Sequence, residues 1–213
     1  MDCKEFHPYP YQQFCIQHII DHPAAGLFVD MGMGKTVMTL TAFNYLKYYA
    51  WQIRRCLVIA PKKVAEATWR TEISGWQHLR HLRCSEVLGT ATQRRAAMAV
   101  DADIYVTNRD NVQWLVKEYG KAWPFDMVVL DESSSFKNHQ AKRFKALRSM
   151  RPKIKRIVEL TGTPSPHGLM DLWAQVYLLD GGQRLGRTIS VYRDMYFEPD
   201  KRSRSQIFTY KAR

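Results

Sequence analysis

The 213-residue chain carries 32 Lys and Arg residues against 20 Asp and Glu residues, which gives a formal net charge of +12. A hydrophobic share of 46% is enough for a packed core and excludes disorder as the main state of the chain. The length favours one domain, with or without an extension. The positive charge favours a polyanionic partner such as nucleic acid, although a globular domain with an ordinary basic surface would show it too.

The cysteines and the N-terminal residues bear on the cellular compartment. Cys3, Cys15, Cys56 and Cys84 have neither metal-ligand nor redox-pair spacing, so we expect reduced thiols that are buried or half-buried. The chain begins without an apolar signal region, and no apolar run is long enough to span a bilayer. The seven histidines form no ligand cluster. We therefore expect an intracellular, cytoplasmic protein with no membrane segment and no zinc site.

Short β-branched runs alternate with longer amphipathic segments along the chain. Strands are predicted at residues 26–30, 56–61, 103–108, 126–132 and 156–164, and helices at residues 36–49, 64–76 and 168–179. Because the strands are continuous apolar runs, they are typical of strands buried on both faces. The pattern predicts an α/β fold with a mostly parallel sheet and helices on both faces.

The sequence "FVDMGMGKTVMTL" places two glycines between the first predicted strand and a predicted helix. Gly32 and Gly34 can adopt backbone angles closed to other residues, so the loop can wrap a phosphate with its N–H groups. Lys35 would then reach the β- and γ-phosphates, and Thr36 would offer its hydroxyl to Mg²⁺. The usual phosphate loop begins with a glycine where this chain has Val29, so a simple turn is the alternative.

Two adjacent acids, Asp131 and Glu132, end the predicted strand "MVVLDE". In a doubly wound sheet, carboxylates at such a strand end face the ligand crevice. Asp131 would hold Mg²⁺ and Glu132 would orient or deprotonate the attacking water. The alternative is a pair of surface acids that cap a helix N-terminus.

Two basic regions leave their function open. Residues 137–156 contain nine Lys and Arg side chains and no carboxylate, so they could grip DNA phosphates or form a solvated helix face with Phe144 and Leu147 toward the core. After Leu179 the chain becomes glycine-rich and basic with scattered aromatic residues. We interpret residues 181–213 as a connector or extension rather than another sheet unit, although nucleic-acid contact is an alternative.

Taken in order, the segments "YQQ", "DMGMGKT", "LVIAPKKVAEATWRTEI", "IYVTN", "LDESSSFKN" and "LTGTPSPHGLMDLW" resemble a known family. The chain is similar to the first RecA-like lobe of superfamily two helicases, in the Swi/Snf-type DNA translocase branch that includes prokaryotic and phage-like members. The resemblance implies a RecA-like P-loop NTPase lobe at residues 1–180, with ATP and Mg²⁺ as ligands. It also implies double-stranded DNA as a partner.

The resemblance assigns roles residue by residue. Gln12 would recognise the adenine edge, and the loop residues Met31, Gly32, Met33, Gly34, Lys35 and Thr36 would bind the phosphates and magnesium. Asp131 and Glu132 would form the acidic pair. Thr161, Gly162 and Thr163 would couple the nucleotide state to lobe movement. Candidates for DNA contact are Pro61, Lys62, Thr107 and Asn108.

The chain departs from the family pattern in ways that affect the expected activity. Ser133 and Ser134 stand where the family often has Ala-His, and the second RecA-like lobe with its arginine fingers is absent from these 213 residues. The resemblance implies an ATP-dependent translocase on duplex DNA that needs this second lobe. The alternatives are a helicase proper and a non-catalytic nucleic-acid-binding module with a relic nucleotide site.

Overall fold

The computed structural model describes residues 4–202 and 207–213. The main sheet has six strands: β1 (Ala24–Phe28), β2 (Cys56–Ala60), β3 (Cys84–Glu86), β4 (Ile104–Asn108), β5 (Met127–Asp131) and β6 (Arg156–Thr161). Their order across the sheet is β1-β6-β5-β2-β4-β3, and all neighbouring pairs are parallel. The short edge strand β3 was not predicted, and the strand predicted at 26–30 lies two residues earlier.

One helix precedes these strands, and the others connect the strands or follow them. They are α1 (Pro10–Asp21), α2 (Lys35–Tyr48), α3 (Lys62–Gly75), α4 (Ala91–Ala99), α5 (Val112–Tyr119), α6 (Lys142–Met150), α7 (Leu172–Asp180) and α8 (Ile189–Tyr196). The predicted helices at 36–49, 64–76 and 168–179 correspond to α2, α3 and α7. The last begins four residues late, because residues 169–171 form a 3-10 turn.

The side chains of β2 show how the sheet is covered. All five residues of this strand are buried. Cys56, Val58 and Ala60 pack into the core formed with α1, α2 and α3, whereas Leu57 and Ile59 pack into the core formed with α5, α6 and α7. A strand buried on both sides needs apolar residues at every position, which explains the continuous run. The predicted α/β architecture with helices on both faces is confirmed.

The C-terminal residues form a separate small unit. Strands β7 (Phe197–Arg202) and β8 (Ile207–Ala212) pair antiparallel, apart from the main sheet. Upstream of this pair, the Tyr192 hydroxyl donates to Leu169 O at 2.8 Å and the Trp173 indole donates to Gly186 O at 3.0 Å. The segment therefore packs against α7 and is not another unit of the main sheet. Its role as a connector stays a prediction.

The expectation for the cysteines holds where the structure describes them. Cys15 and Cys56 are buried and Cys84 is half-buried, all as free thiols, and Cys3 lies outside the described residues. Burial raises the pKa of the Cys84 thiol to about 11. Across residues 4–202 and 207–213, no helix is both long and apolar enough to cross a membrane.

Arg156 ties the end of α1 to the beginning of β6. It is 8% exposed, and its guanidinium donates to Ile19 O at 2.9 Å, Ile20 O at 3.0 Å and Gln52 Oε1 at 2.6 Å. The last carbonyls of a helix have no partner within the helix. Arg156 supplies these donors from the sheet, so it fixes the position of α1 beside β1.

Replacing Arg156 by Met should lower the free energy of unfolding by about 2–4 kcal/mol, because buried carbonyls lose charged donors. Urea unfolding followed by circular dichroism measures the change. Lys155→Met is the matched control: Lys155 is 65% exposed and pairs with Asp126 at 2.6 Å, so its loss should cost about 1 kcal/mol or less. Equal losses in the two variants would contradict the role of Arg156.

Candidate nucleotide-binding site

The predicted site residues meet at the carboxyl edge of the sheet. Because β6 lies between β1 and β5, the loop after β1, the segment 161–163 at the end of β6 and the acids at the end of β5 are neighbours. Adjacent strands lie about 4.8 Å apart, so this edge brings all three within reach of one small ligand. The acidic pair therefore lies on the same side of the sheet as the glycine loop, as one shared site for phosphate and magnesium needs. Ligands of open α/β sheets bind at this edge.

The glycine loop turns directly into α2. Gly32 and Gly34 both have φ of +80°, in the left-handed region that favours glycine, and Gly34 caps the helix that begins at Lys35. A Cβ at Gly34 would lie 2.7 Å from Gln12 Nε2, whereas one at Gly32 would meet no atom within 4 Å. The loop therefore presents the N-terminus of a 14-residue helix, where backbone N–H groups lack partners.

Lys35 points into the loop. Its Nζ donates to Val29 O at 2.7 Å and to Asp30 O at 2.9 Å. An ammonium group has three donors, so these two bonds hold the charge in place and leave one N–H for a ligand. The charge also lies close enough to Asp131 to lower the pKa of that carboxyl.

Gln12 joins α1 to the same loop. Its Oε1 accepts from Tyr9 N at 3.0 Å, and its Nε2 donates to Met33 O at 3.4 Å. The Tyr11 hydroxyl donates to the same carbonyl at 3.1 Å. Met31, at the exposed tip of the loop, has 85% of its surface accessible. The structure thus brings Gln12 together with the glycine loop, and its contact with adenine stays a prediction.

Asp131 accepts a hydrogen bond from a residue of the core. Trp69 is 1% exposed in the core, and its indole N–H donates to Asp131 Oδ2 at 2.9 Å. Burial raises the pKa of Asp131, Trp69 lowers it, the neighbouring Glu132 raises it, and the net shift is upward. A cation beside Asp131 would favour its ionised form. The hydrogen bond spans 62 positions in the chain, so no local pattern indicated it.

Glu132 has a strained backbone and a fixed side chain. Its φ is +59°, which is uncommon for a residue other than glycine and is typical of functional sites. Oε1 accepts from the Thr161 hydroxyl at 2.6 Å and from the Ser134 hydroxyl at 2.8 Å. Ser134, at the position where the family often has His, thus contacts the candidate catalytic carboxylate.

Segment 161–163 contacts both halves of the site. Thr161 is fully buried, donates to Glu132 and accepts from Thr163 N at 3.0 Å. A Cβ at Gly162 would lie 3.5 Å from Val29 O and 3.6 Å from Met31 N, so this glycine packs against the phosphate loop. The segment therefore bridges the loop and the acidic pair, and its role in coupling stays a prediction.

The candidate DNA residues lie further along the same edge. Pro61 precedes α3, and the side chain of Lys62 is 74% exposed, 4.0 Å from Glu66 Oε1. Thr107 is fully buried and donates to Val87 O at 2.8 Å, so its side chain is not available at the surface. Asn108 Oδ1 accepts from the N–H groups of residues 110 and 111, which positions the loop after β4.

Most basic side chains of residues 137–156 make contacts within the protein. Those with such a contact are Lys137, Arg143, Arg148, Arg151, Lys153, Lys155 and Arg156. Phe144 and Leu147 are buried, as their helical spacing predicted. The observed contacts favour a structural use for most of this stretch, and direct DNA contact by the remaining Lys142 and Lys145 stays a prediction.

The residues present fit a magnesium site of the kind that nucleotides complete. Among residues 4–202 and 207–213, no group of three or more His, Cys, Asp and Glu side chains could hold a metal ion by itself. Mg²⁺ is usually bound by one or two protein groups together with substrate phosphates. The Asp131 carboxylate and the hydroxyl of Thr36, in the first turn of α2, offer a donor set of this kind.

Residues 11–193 match the family model of the SNF2-related domain. The chain belongs to this family. Together with the fold, this makes it an SNF2-family ATPase domain and confirms the resemblance on which the site roles were assigned. The individual residue roles stay predictions.

Relatives within this family are longer than the chain. Putative protein p41 of Acyrthosiphon pisum secondary endosymbiont phage 1 is 41% identical over 201 residues, covering 92% of this chain and 44% of that protein. The mouse SWI/SNF-related matrix-associated actin-dependent regulator of chromatin subfamily A member 1 is 29% identical over 160 residues, covering 72% of this chain and 15% of that protein. The Sulfolobus solfataricus SWI2/SNF2 ATPase core in complex with dsDNA matches with a TM-score of 0.75 and 27% identity, covering 90% of this chain and 39% of that chain. The chain thus spans less than half the length of each.

Gly34→Ala and Gly32→Ala form a matched pair for the loop of this SNF2 domain. Both variants force alanine into the left-handed region, at a cost of about 1–2 kcal/mol. Only Gly34→Ala also displaces the Gln12 amide, so its unfolding temperature should fall further. Differential scanning fluorimetry measures both variants, and equal decreases would show that the contact between Gln12 and the loop contributes nothing.

Proposed function

We propose that the chain is the nucleotide-binding lobe of an ATP-dependent translocase on double-stranded DNA. The observation that supports this most directly is the contact from Thr161 to Glu132 beside the glycine loop. It joins a phosphate-binding element, a candidate catalytic acid and a coupling element in one place. A structural or purely DNA-binding domain has no need for this combination at a sheet edge.

In this proposal the loop and Lys35 bind the phosphates. The N–H groups at the beginning of α2 and the Lys35 ammonium neutralise phosphate charge, with Lys35 already aimed into the loop by Val29 O and Asp30 O. Thr36 and Asp131 would hold Mg²⁺. The bound ion would neutralise developing charge on the phosphate oxygens. Gln12, fixed beside Gly34, would contact the adenine edge.

Glu132 would order the water that attacks the γ-phosphate. Both of its hydroxyl partners donate to Oε1, and within the described residues no hydrogen bond reaches Oε2. The free oxygen can therefore accept a proton from water, while Thr161 and Ser134 hold the orientation. Because Thr161 also begins the segment that packs on the loop, movement of this segment would move the carboxylate.

Double-stranded DNA and a second RecA-like lobe are the proposed partners. The net charge of +12 and the exposed Lys62 suit a phosphate backbone, and the matched Sulfolobus ATPase core is itself in complex with dsDNA. An arginine finger contributes about 10³–10⁵-fold in rate in related nucleotide hydrolases. Without a lobe that supplies one, the chain should bind nucleotide weakly and hydrolyse it slowly, and it should not translocate. Strand-displacement assays distinguish the translocase from a helicase proper.

Lys35→Ala should weaken the binding of Mg-ATP to the 213-residue chain by about tenfold or more, because a charged donor to phosphate is lost. Titration with a fluorescent ATP analogue measures the affinity. Lys117→Ala, an exposed lysine on α5, is the control and should bind as the wild type does. Equal affinity in Lys35→Ala would support the alternative of a non-catalytic module with a relic site.

Glu132→Gln, introduced into the protein with both lobes, should keep ATP affinity and lower DNA-stimulated turnover by about 10²–10⁴-fold. The amide keeps the shape of the side chain but cannot accept the proton of water. Phosphate release in the presence of duplex DNA measures the rate, with Glu5→Gln at an exposed position as control. Turnover that survives the change would contradict the role given to Glu132.

A further inference from the structure

Glu159 is a buried acid that the proposed reaction does not use. It lies in β6 two residues before Thr161, on the same face of the sheet, and is fully buried. Its register partners are Gly26 in β1 and Leu130 in β5, neither of which carries a side-chain donor. Within the described residues, neither carboxyl oxygen has a hydrogen-bond partner. Such a group is costly in a core unless it has a partner or a function.

Two further buried polar residues lie beside it. Ser133, directly after Glu132, is fully buried, and its hydroxyl donates to Gln175 Oε1 at 2.9 Å. Gln175, on α7, donates from Nε2 to Pro164 O at 2.6 Å and to Asp171 O at 3.0 Å. The Ser133 hydroxyl is also close enough to Glu159 to influence the pKa of its carboxyl.

The acceptors in this cluster determine which atoms of Gln175 and Ser133 act as donors. Carbonyl oxygens only accept, so the amide nitrogen of Gln175 must face Pro164 and Asp171, and its oxygen must face Ser133. The single proton of Ser133 is then committed to Gln175. Only the lone pairs of Ser133 remain for Glu159, and they repel a carboxylate. A neutral carboxylic acid has the O–H group that fits them.

The surroundings of Glu159 favour the neutral form. Burial raises the pKa of the Glu159 carboxyl well above its ordinary value, and the Ser133 hydroxyl would lower it only with its proton turned toward Glu159 instead of Gln175. The packed elements carry acids at their ends: Asp131 and Glu132 at the end of β5, and Asp171 and Asp180 at the two ends of α7. Bases lie beside them but are engaged by backbone carbonyls, since Arg151 donates to Leu178 O and Arg143 donates to Ser135 O. The nearby Lys137 is paired with Asp171 at 3.2 Å.

We propose that Glu159 is a positioning residue that, as a neutral acid, donates to Ser133 and completes a hydrogen-bonded chain through Gln175 to Pro164. This series of hydrogen bonds connects β6 to the turn that carries Glu132, and it ends at Pro164, directly after Thr163. It therefore supports both sides of the contact between Thr161 and Glu132. The inference rests on the proposed role of Glu132 in ordering water.

Three variants in the two-lobed protein test the proposal by DNA-stimulated ATP hydrolysis. Glu159→Leu and Ser133→Ala should each lower kcat by about 10–100-fold, since small displacements of a catalytic group cost that much, with KM for ATP changed by less than about twofold. Glu159→Gln should keep kcat within about threefold of the wild type, because its amide N–H can donate to Ser133. Ser149→Ala, on the surface of α6, is the control.

Comparing the unfolding temperature with kcat distinguishes a loss of positioning from a loss of folding. Glu159→Leu replaces a buried carboxyl by an apolar side chain, which removes its desolvation cost, so the unfolding temperature should match or exceed that of the wild type despite the slower turnover. Wild-type kcat in Glu159→Leu or in Ser133→Ala would overturn the proposal. Glu159→Gln that is as slow as Glu159→Leu would also overturn it. If Glu159→Leu fails to fold, Ser133→Ala and Glu159→Gln decide.

A measurement without turnover distinguishes this inference from the proposed function. Infrared difference spectra of the 213-residue chain at neutral pH should contain a protonated carboxyl band that Glu159→Gln removes. Absence of the band would overturn the neutral acid. If the band is present but the wild-type two-lobed protein does not hydrolyse ATP on DNA, the proposed function fails and the assignment of Glu159 as a neutral donor stands.

Discussion

The hydrogen bond from Thr161 to Glu132 is the contact on which the site depends. It exists because β6 lies between β1 and β5, so the end of β6 reaches the acids on one side and the glycine loop on the other. Three segments that are distant in the chain thereby form one crevice. Because the Thr161 hydroxyl donates to Oε1 of Glu132, it also determines that Oε2 is the oxygen left for a ligand.

The polar residues of this lobe form two layers. In the outer layer, Lys35, Asp131 and Glu132 face the crevice and are held by backbone carbonyls, an indole and hydroxyls. In the inner layer, Ser133, Glu159 and Gln175 are fully buried directly beneath. Buried polar groups specify geometry only when each donor meets an acceptor. The inner layer meets this condition when Glu159 is neutral, which links the protonation of a core residue to the shape of the site.

The basic character of the chain is divided between structure and surface. Arg156 and Arg151 hold the carbonyls at the ends of α1 and α7, and Arg148 packs over the ring of Tyr177. Charge counted from the sequence therefore overstates what a polyanion can reach. The C-terminal segment is likewise joined to the lobe, through Tyr192 and Trp173, in a way that its glycine-rich composition did not indicate.

The alternation of strands and helices, the glycine loop before α2 and the acids at the end of β5 could all be predicted from the amino-acid sequence. Each of these is a local pattern, set by burial on two faces or by the backbone freedom of glycine. Sequence analysis missed β3, because three residues at a sheet edge carry no periodic signal, and the order of strands carries none either. Three features became visible only in the folded chain: Trp69 donates to Asp131, Ser134 and Thr161 donate to Glu132, and Thr107 is buried. These contacts join residues brought together by parallel pairing and by the turns at the strand ends, and their chain separations have no local signature.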